Sequence, residues 1–258
     1  MKRLLTLAVL SIFAASTAFA QESQVVQVFA CKLRDGKTMA NVTSLADSFR
    51  EAWPAMNDKD PGAGAFVWTP FREGSPYDYV FGFINTDQKT MVAGLNGYYE
   101  SGRGAGLDAQ FVETGDCDSV IVFSEEIRTG GGIPDKQGNQ PDAVVELFSC
   151  TINQGFGMAD IRAANDFWRK QLAELGSAAL SKYEAFLWTP HRGGTGRSDF
   201  LWVGNTPDLA SWAQGDIDYL GSKQGQAADA RFTKVSKCVS SMWAGSWIVA
   251  PKAGPTAE

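Results

Sequence analysis

The stretch Ala-Phe-Val-Trp-Thr-Pro-Phe-Arg at residues 65–72 recurs as Ala-Phe-Leu-Trp-Thr-Pro-His-Arg at residues 185–192. Similar pairs of segments flank it on both sides: Val28-Phe29-Ala30-Cys31 with Leu147-Phe148-Ser149-Cys150, Asp78-Tyr79-Val80-Phe81 with Asp199-Phe200-Leu201-Trp202, Asp108-Ala109-Gln110-Phe111 with Asp229-Ala230-Arg231-Phe232, and Cys117 with Cys238. Matching residues stay 119 to 121 positions apart throughout. Because chance similarity does not hold register over such a length, residues 25–128 and 144–250 are predicted to be copies of one unit.

The segments outside the repeat have a different composition. Residues 1–20 combine a basic start, a short apolar stretch and the small residues of a cleavage site, which predicts a signal peptide. Residues 129–142 are rich in glycine and proline and are predicted to be a linker, and residues 251–258 a flexible tail. We therefore expect a first α+β unit at 21–128 and a second at 143–250, in a periplasmic or secreted protein.

The overall charge is acidic, with 29 Asp and Glu against 23 Lys and Arg. Nucleic-acid binding depends on clusters of Lys and Arg, and docking on anionic lipid depends on basic patches. The composition therefore argues against both partners. No later segment is apolar for long enough to span a bilayer, so we expect no membrane anchor. The partners that remain are a small-molecule ligand or an envelope protein, bound by a monomer or a homodimer.

Each copy shows strands and helices in the order β-α-β-β-α-β. Apolar residues recur at helical spacing in one segment, and β-branched or aromatic runs mark the strands. The elements predicted in the first copy are strand 25–33, helix 38–56, hairpin strands 65–71 and 78–84, a glycine-broken helical region from 88–101, and strand 119–127. Those predicted in the second include helix 158–175, a helical region from 209–214, and strand 240–249. This order is the split β-α-β of a ferredoxin-like fold.

Four cysteines occupy repeated positions, which in an exported chain is typical of two disulfides. In a ferredoxin-like unit the first and last strands are antiparallel neighbours. Cys31 lies near the end of the first strand and Cys117 at the beginning of the last. We therefore predict Cys31–Cys117 and Cys150–Cys238, so that each copy carries the same internal bond. Neither a Cys-x-x-Cys motif nor a Cys/His cluster indicates a metal site.

The middle strands carry apolar side chains on both faces, so the sheet must be covered on both sides. The helices of each unit cover one face, and the sheet of the sister unit is the candidate for the other. The tandem units thus resemble the dimeric α+β barrel superfamily, which includes antibiotic-biosynthesis-type monooxygenases and chlorite dismutases. The resemblance rests on element order and duplication, and implies an α+β fold in which two ferredoxin-like units pack sheet to sheet as a barrel.

The repeated Trp-Thr-Pro-x-Arg segment is the most distinctive local feature, and it has two interpretations. Its Trp and Arg side chains could line a ligand pocket, with rings stacking on the ligand and guanidinium groups holding an anion. Alternatively Trp fills the core, Pro ends the strand, and Arg pairs with the Asp that also recurs in each copy. The candidate ligand-binding residues are Trp68, Arg72, Trp188, His191, Arg192 and Trp202.

His191 is the single histidine of the chain and replaces Phe71 of the first copy. In a fold that can hold haem, this residue could be an axial ligand, although a lone His at a strand end is more often a surface residue. No cofactor is predicted otherwise, and haem remains the alternative.

Two classes of function therefore stay open. The first is a binding protein for a small apolar or amphipathic ligand or for a partner protein, which fits the wealth of Trp and Phe and the poverty of nucleophiles. The second is an oxidoreductase or monooxygenase-like enzyme, with haem held through His191. No catalytic residue can be assigned from the sequence. A structural role in an envelope complex is neither supported nor contradicted.

Overall fold

The structure is a computed structural model that describes residues 24–56, 60, 62–71, 75–130, 142–193 and 198–252. The predicted signal peptide, most of the predicted linker and most of the predicted tail lie outside the described residues, as does Arg72. The first unit consists of β1 (Gln24–Leu33), α1 (Met39–Met56), β2 (Gly64–Pro70), β3 (Tyr79–Asn85), α2 (Gln88–Glu100), α3 (Gly104–Thr114) and β4 (Gly115–Arg128). The second consists of β5 (Ala143–Ile152), α4 (Met158–Leu175), a 3-10 turn (Leu180–Lys182), β6 (Glu184–Gly193), β7 (Phe200–Thr206), α5 (Leu209–Leu220), α6 (Lys223–Val235) and β8 (Ser236–Val249).

The eight strands form one closed antiparallel barrel in the order β1-β3-β2-β8-β5-β7-β6-β4. Within each unit the first strand lies between the third and the last, which is the ferredoxin-like arrangement. The units join edge to edge, because β4 pairs with β6 and β8 pairs with β2. The predicted α+β barrel of two tandem units is confirmed, and hydrogen bonding at both seams leaves no free sheet edge in the barrel.

The second helical region of each unit is two helices, where the sequence predicted one broken region. In the first unit the break falls at Gly102, whose φ of 71° lies in the left-handed conformation that glycine adopts readily. In the second unit Ser222 starts the new helix, since its hydroxyl accepts a hydrogen bond from the Gly225 amide at 2.8 Å. Each unit is therefore β-α-β-β-α-α-β.

Each seam of the barrel contains a β-bulge that places an apolar side chain of one unit in the core of the other. The pairing of β4 with β6 shifts by one residue at Ile127, and that of β8 with β2 shifts at Ile248. An extra residue in one strand redirects its side chain to the other face of the sheet. Ile127 is consequently buried in the core of the second unit, and Ile248 in the core of the first. The bulges thus bind the two units together on the helical side as well.

Three hydrophobic cores result, one between the sheet and the helices of each unit and one inside the barrel. The strand register sets Cys31 opposite Cys117 and Cys150 opposite Cys238. Both pairs are disulfide-bonded, with Cα atoms 4.0 and 4.1 Å apart, so the predicted connectivity is confirmed. Two disulfides are compatible with an exported protein. In the described part of the chain, no helix is long and apolar enough to cross a membrane.

Candidate functional site

The interior of the barrel is largely filled by its own aromatic side chains. The rings of Trp68 and Trp188, from equivalent positions of the repeat, stack with centroids 5.7 Å apart and an angle of 13° between their planes. Trp188 Nε1 donates a hydrogen bond to Ser124 Oγ at 3.0 Å, across the seam between the units. Gly245 faces Trp68 in the pairing of β2 with β8, where a Cβ atom would press on that ring and on Val145. The remaining space is a cavity of about 90 Å³.

The six residues proposed from the sequence are not gathered around one cavity. Trp68 and Trp188 are buried inside the barrel, whereas Trp202 contacts the helical side of the second sheet. His191 is the extra residue of a bulge in β6, is exposed, and lies 4.5 Å from Phe123 between ring centroids. Arg192 is also exposed, and Arg72 lies outside the described residues.

The aspartate that recurs in both copies has a backbone role. Asp78 Oδ2 accepts a hydrogen bond from the Leu33 amide at 2.8 Å, and Asp199 Oδ2 accepts one from the Ile152 amide at 2.6 Å. In each unit this carboxylate ties the start of the third strand to the end of the first. Its repetition is therefore explained by the fold.

A larger cavity, of about 540 Å³, lies in the second unit between the sheet and helices α4, α5 and α6. Its walls are mainly aromatic, with contributions from Phe148, Trp168, Tyr183, Phe200, Trp202, Trp212, Tyr219 and Phe232. The Trp202 ring stacks on Tyr183 with centroids 5.9 Å apart, and meets Trp168 edge-on at 5.2 Å. Cys150 and Cys238 also line it, so one of the two disulfides forms part of the wall.

A change of side-chain size between the copies shapes this cavity. Tyr183 occupies the position of Ala63, and Gly204 occupies that of Phe83. A Cβ atom on Gly204 would lie 1.7 Å from the Tyr183 hydroxyl oxygen, so the tyrosine fits only because position 204 is glycine. The first unit has a cavity of about 310 Å³ in the equivalent place, lined in part by Phe83. The second unit has thus exchanged one ring for another that carries a hydroxyl group.

That hydroxyl group is paired with a carboxylate. Tyr183 Oη donates a hydrogen bond to Glu146 Oε2 at 2.9 Å, and the Trp212 side chain also hydrogen-bonds to Glu146. Burial raises the pKa of Glu146, and the nearby charge of Asp216 raises it further. Burial also raises the pKa of Tyr183 well above 10, with the charge of Glu146 adding to the effect. Two neighbouring acidic groups with shifted pKa values in one cavity are typical of functional sites.

Two further carboxylates lie on the helical side of the cavity. Asp229 Oδ1 accepts a hydrogen bond from Tyr219 Oη at 2.8 Å. The pKa of Asp216 is raised, first by burial and then by the charge of Asp229. Lys, Arg and His are absent from the described residues that line this cavity. The site is an aromatic chamber whose ionisable side chains are all acidic.

Haem held through His191 does not fit this geometry. A haem needs an axial side chain aimed into a cavity large enough for the macrocycle. His191 lines none of the three described cavities, and its ring packs at the surface on Phe123. Across the described residues, no group of three or more His, Cys, Asp or Glu side chains is placed to hold a metal ion. We therefore derive no chemistry through a haem on His191.

The sequence contains one signal for this site, and it does not lie in the motifs that the two copies share. Positions that differ between the copies mark it, because Gln27, Ala63, Met91 and Leu95 of the first unit become Glu146, Tyr183, Trp212 and Asp216. All four residues of the second unit line the large cavity. Residues that are the same in both copies indicate the fold, whereas residues that differ between the copies indicate the site.

Known structures share this architecture at low sequence identity. A provisionally assigned monooxygenase from Lactobacillus acidophilus is 10% identical with a TM-score of 0.57, and the match covers 88% of this chain and 99% of that one. A provisionally assigned chlorite dismutase is 13% identical with a TM-score of 0.51, covering 86% and 94%. An anthrone oxidase-like protein is 11% identical with a TM-score of 0.51, covering 89% and 94%. These likenesses establish the α+β barrel fold.

Comparison by sequence gives no match. The chain matches no protein-family profile, and no curated protein is similar to it. A fold of this kind does not by itself define a function, which depends on the residues of the site.

Replacing Glu146 by Gln, the residue at the equivalent position of the first unit, is expected to stabilise the protein at pH 8 by about 1 kcal/mol. The substitution removes a carboxylate whose charged form is disfavoured by burial. The raised pKa means that the folded protein binds the Glu146 proton more tightly than the unfolded chain does. The stability contributed by that proton is present below the unfolded pKa and is lost as pH rises through the folded value. The advantage of the variant should therefore shrink as the pH falls.

Urea unfolding of both proteins at pH 8 and pH 5 measures this difference. Glu113→Gln is the control, since the Glu113 side chain is 71% exposed and its substitution should change stability little at either pH. An equal effect of Glu146→Gln at the two pH values would show that the Glu146 proton is not bound more tightly in the folded state.

Proposed function

We propose that the second unit binds a small amphipathic molecule in its 540 Å³ cavity, with the apolar part against the aromatic walls and a polar group on Glu146. The observation that carries this proposal is a large aromatic cavity into which a hydrogen-bonded carboxylate is built. Cavities of about 300–1,000 Å³ with apolar walls and a few convergent polar groups are typical of small-molecule sites. We further propose that the protein acts outside the cytoplasm, which its two disulfides support.

The energetics of the site favour a ligand over a purely structural role. A carboxylate that is buried against its preference lowers the stability of the fold, and Gln27 in the first unit shows that the strand accepts an uncharged side chain here. Tyr183 and Gly204 had to change together to place a hydroxyl group on that carboxylate. A paired arrangement that the fold does not require supports a role in recognition.

An enzyme of the monooxygenase type is the second candidate. It is favoured by the same Glu146–Tyr183 pair, because a carboxyl group with a raised pKa beside a buried hydroxyl can serve in general acid–base catalysis. It would also use the cavity, with the ligand as substrate. Turnover of a bound molecule that is lost in Glu146→Gln, while binding of that molecule persists, would favour this candidate.

Trp202→Ala is expected to weaken binding of 1-aminoanthracene, an uncharged fluorescent amphipath, by about tenfold, because the ring is a central part of the cavity wall. Phe81→Ala is the matched control, since Phe81 occupies the same repeat position in the first unit and is fully buried there. Fluorescence titration should give one saturable site per chain, weakened by the first substitution and not by the second. Equal weakening by both would contradict a site in the second unit.

A further inference from the structure

We propose that the molecule bound in this cavity carries a cationic group, an amine or a quaternary ammonium, held beside Glu146 and Asp216. This proposal rests on the proposed function and specifies the ligand class of the same site. Its basis is the difference between the two cavities of the chain, which lie at equivalent places in the two units but are lined by different side chains.

The two units differ in charge at aligned positions that line both cavities. Gln27 and Leu95 line the first cavity, and Glu146 and Asp216 occupy their positions in the second. The Tyr219–Asp229 pair is not part of this difference, because Tyr98 donates the same hydrogen bond to Asp108 in the first unit, at 2.7 Å. The second unit has therefore gained two carboxylates in a cavity that the fold builds without them.

Nothing in the described wall of the cavity neutralises these carboxylates. Asp216, on α5, has no hydrogen-bonding partner among the described residues. The charge of another acid, Asp229 on α6, acts on it and raises its pKa. Glu146 accepts hydrogen bonds from neutral donors, Tyr183 and Trp212. The nearby Arg128 guanidinium donates instead to the carbonyl oxygens of Leu180 and Tyr183. A cationic ligand would supply the missing counter-charge, whereas an anionic ligand would add repulsion.

The tryptophan content of the second cavity also suits a cation. Trp212 replaces Met91 and Trp168 replaces Phe49, whereas Leu172 and Leu220 replace Trp53 and Tyr99. The described lining residues therefore include three tryptophans in the second cavity and one in the first. Trp binds cations on its face more strongly than Tyr or Phe does, and carboxylates ringed by aromatic side chains recognise amines and quaternary ammonium groups. The second cavity has therefore gained both carboxylates and tryptophan rings relative to the first.

The affinity for such a ligand should fall as the pH falls. The ionisable groups that face the site are Glu146 from β5, Tyr183 from the chain before β6, Asp216 and Tyr219 from α5, and Asp229 from α6. Glu146 and Asp216 have raised pKa values, so they take up protons at higher pH than ordinary carboxyl groups do. Protonation removes the charge that attracts the ligand.

Three probes of one shape and different charge test the proposal: phenethylamine, 2-phenylethanol and 3-phenylpropanoate. Calorimetric titration of the whole protein, produced with its disulfides, is expected to show phenethylamine binding at least about tenfold tighter than 2-phenylethanol, and 3-phenylpropanoate binding weakest. In the double variant Glu146→Gln/Asp216→Asn this preference should disappear, so that phenethylamine and 2-phenylethanol bind with similar affinity. Asp108→Asn, which removes a carboxylate from the first cavity, should leave phenethylamine affinity unchanged.

The outcomes separate this proposal from the one it rests on. Binding of 2-phenylethanol as tight as that of phenethylamine by the wild-type protein would overturn the cationic class while leaving a site for amphipathic molecules. A preference for phenethylamine that persists in the double variant would also overturn it, because groups other than Glu146 and Asp216 would then recognise the ammonium charge. Failure of all three probes and of 1-aminoanthracene to bind would overturn both proposals. The wild-type comparison decides the matter even if the double variant does not fold.

Discussion

Replacing Cys150 and Cys238 by alanine is expected to lower the free energy of unfolding by about 4.5 kcal/mol, the loss that the chain-entropy relation gives for a closed loop of this size. The bond joins residues 88 positions apart. It fastens the first strand of the second unit to its last strand, and helices α4, α5 and α6 all lie within the loop that it closes. Without it, the unfolded chain gains conformational freedom that the folded state must overcome.

The Cys31→Ala/Cys117→Ala variant is the matched control, because its bond closes a loop of nearly the same length, 86 residues, in the first unit. The two double variants should lose similar stability in urea unfolding. Only the second-unit variant should also weaken 1-aminoanthracene binding, since Cys150 and Cys238 line the large cavity and the first-unit pair does not line its counterpart. Equal effects on binding would contradict the assignment of the site to the second unit.

Trp188→Ala is expected to destabilise the protein by about 3–5 kcal/mol, as truncation of a buried Trp to Ala commonly does. The ring is 4% exposed and stacks on Trp68, so its removal opens a void inside the barrel. It also deprives Ser124 of its indole donor at the seam between β4 and β6. Because the seam is one of two that close the barrel, both units lose stability together.

Trp188→Phe separates the two contributions. It keeps an aromatic ring and removes the hydrogen bond to Ser124, which should cost about 1 kcal/mol. Both variants should bind 1-aminoanthracene as the wild-type protein does under folding conditions, because Trp188 does not line the second-unit cavity. A Trp188→Ala variant that unfolds at the wild-type urea concentration would contradict a close-packed barrel interior.

The parts of the fold that the sequence predicted are those that repeat. The repeated cysteines, the helical spacing in α1 and α4, and the doubly apolar strands each have a local pattern, and together they predict tandem ferredoxin-like units in a barrel. The division of the second helical region was missed, because a glycine such as Gly102 marks a break without showing whether the helix resumes. The bulges at Ile127 and Ile248 depend on pairing between distant strands, which no local pattern encodes.

Trp202 is the one residue of the candidate site that was named from the sequence. The rest of the site was not predicted, because it arises from packing between segments far apart in sequence. Tyr183 reaches Glu146 only because Gly204 leaves room for its ring, and neither residue stands out in its own segment. The Trp residues that do stand out, Trp68 and Trp188, are repeated because both copies need them inside the barrel. In a duplicated chain, positions where one copy departs from the other are therefore the better guide to function.

A crystal structure of the protein grown with saturating 1-aminoanthracene tests the central claim most directly. We expect electron density for the probe between the sheet and helices α4–α6 of the second unit, against Trp202, with Trp68 and Trp188 still stacked inside the barrel. Density for the probe inside the barrel instead, with those two rings parted, would contradict the account and return the binding site to the place that the repeated tryptophans first suggested.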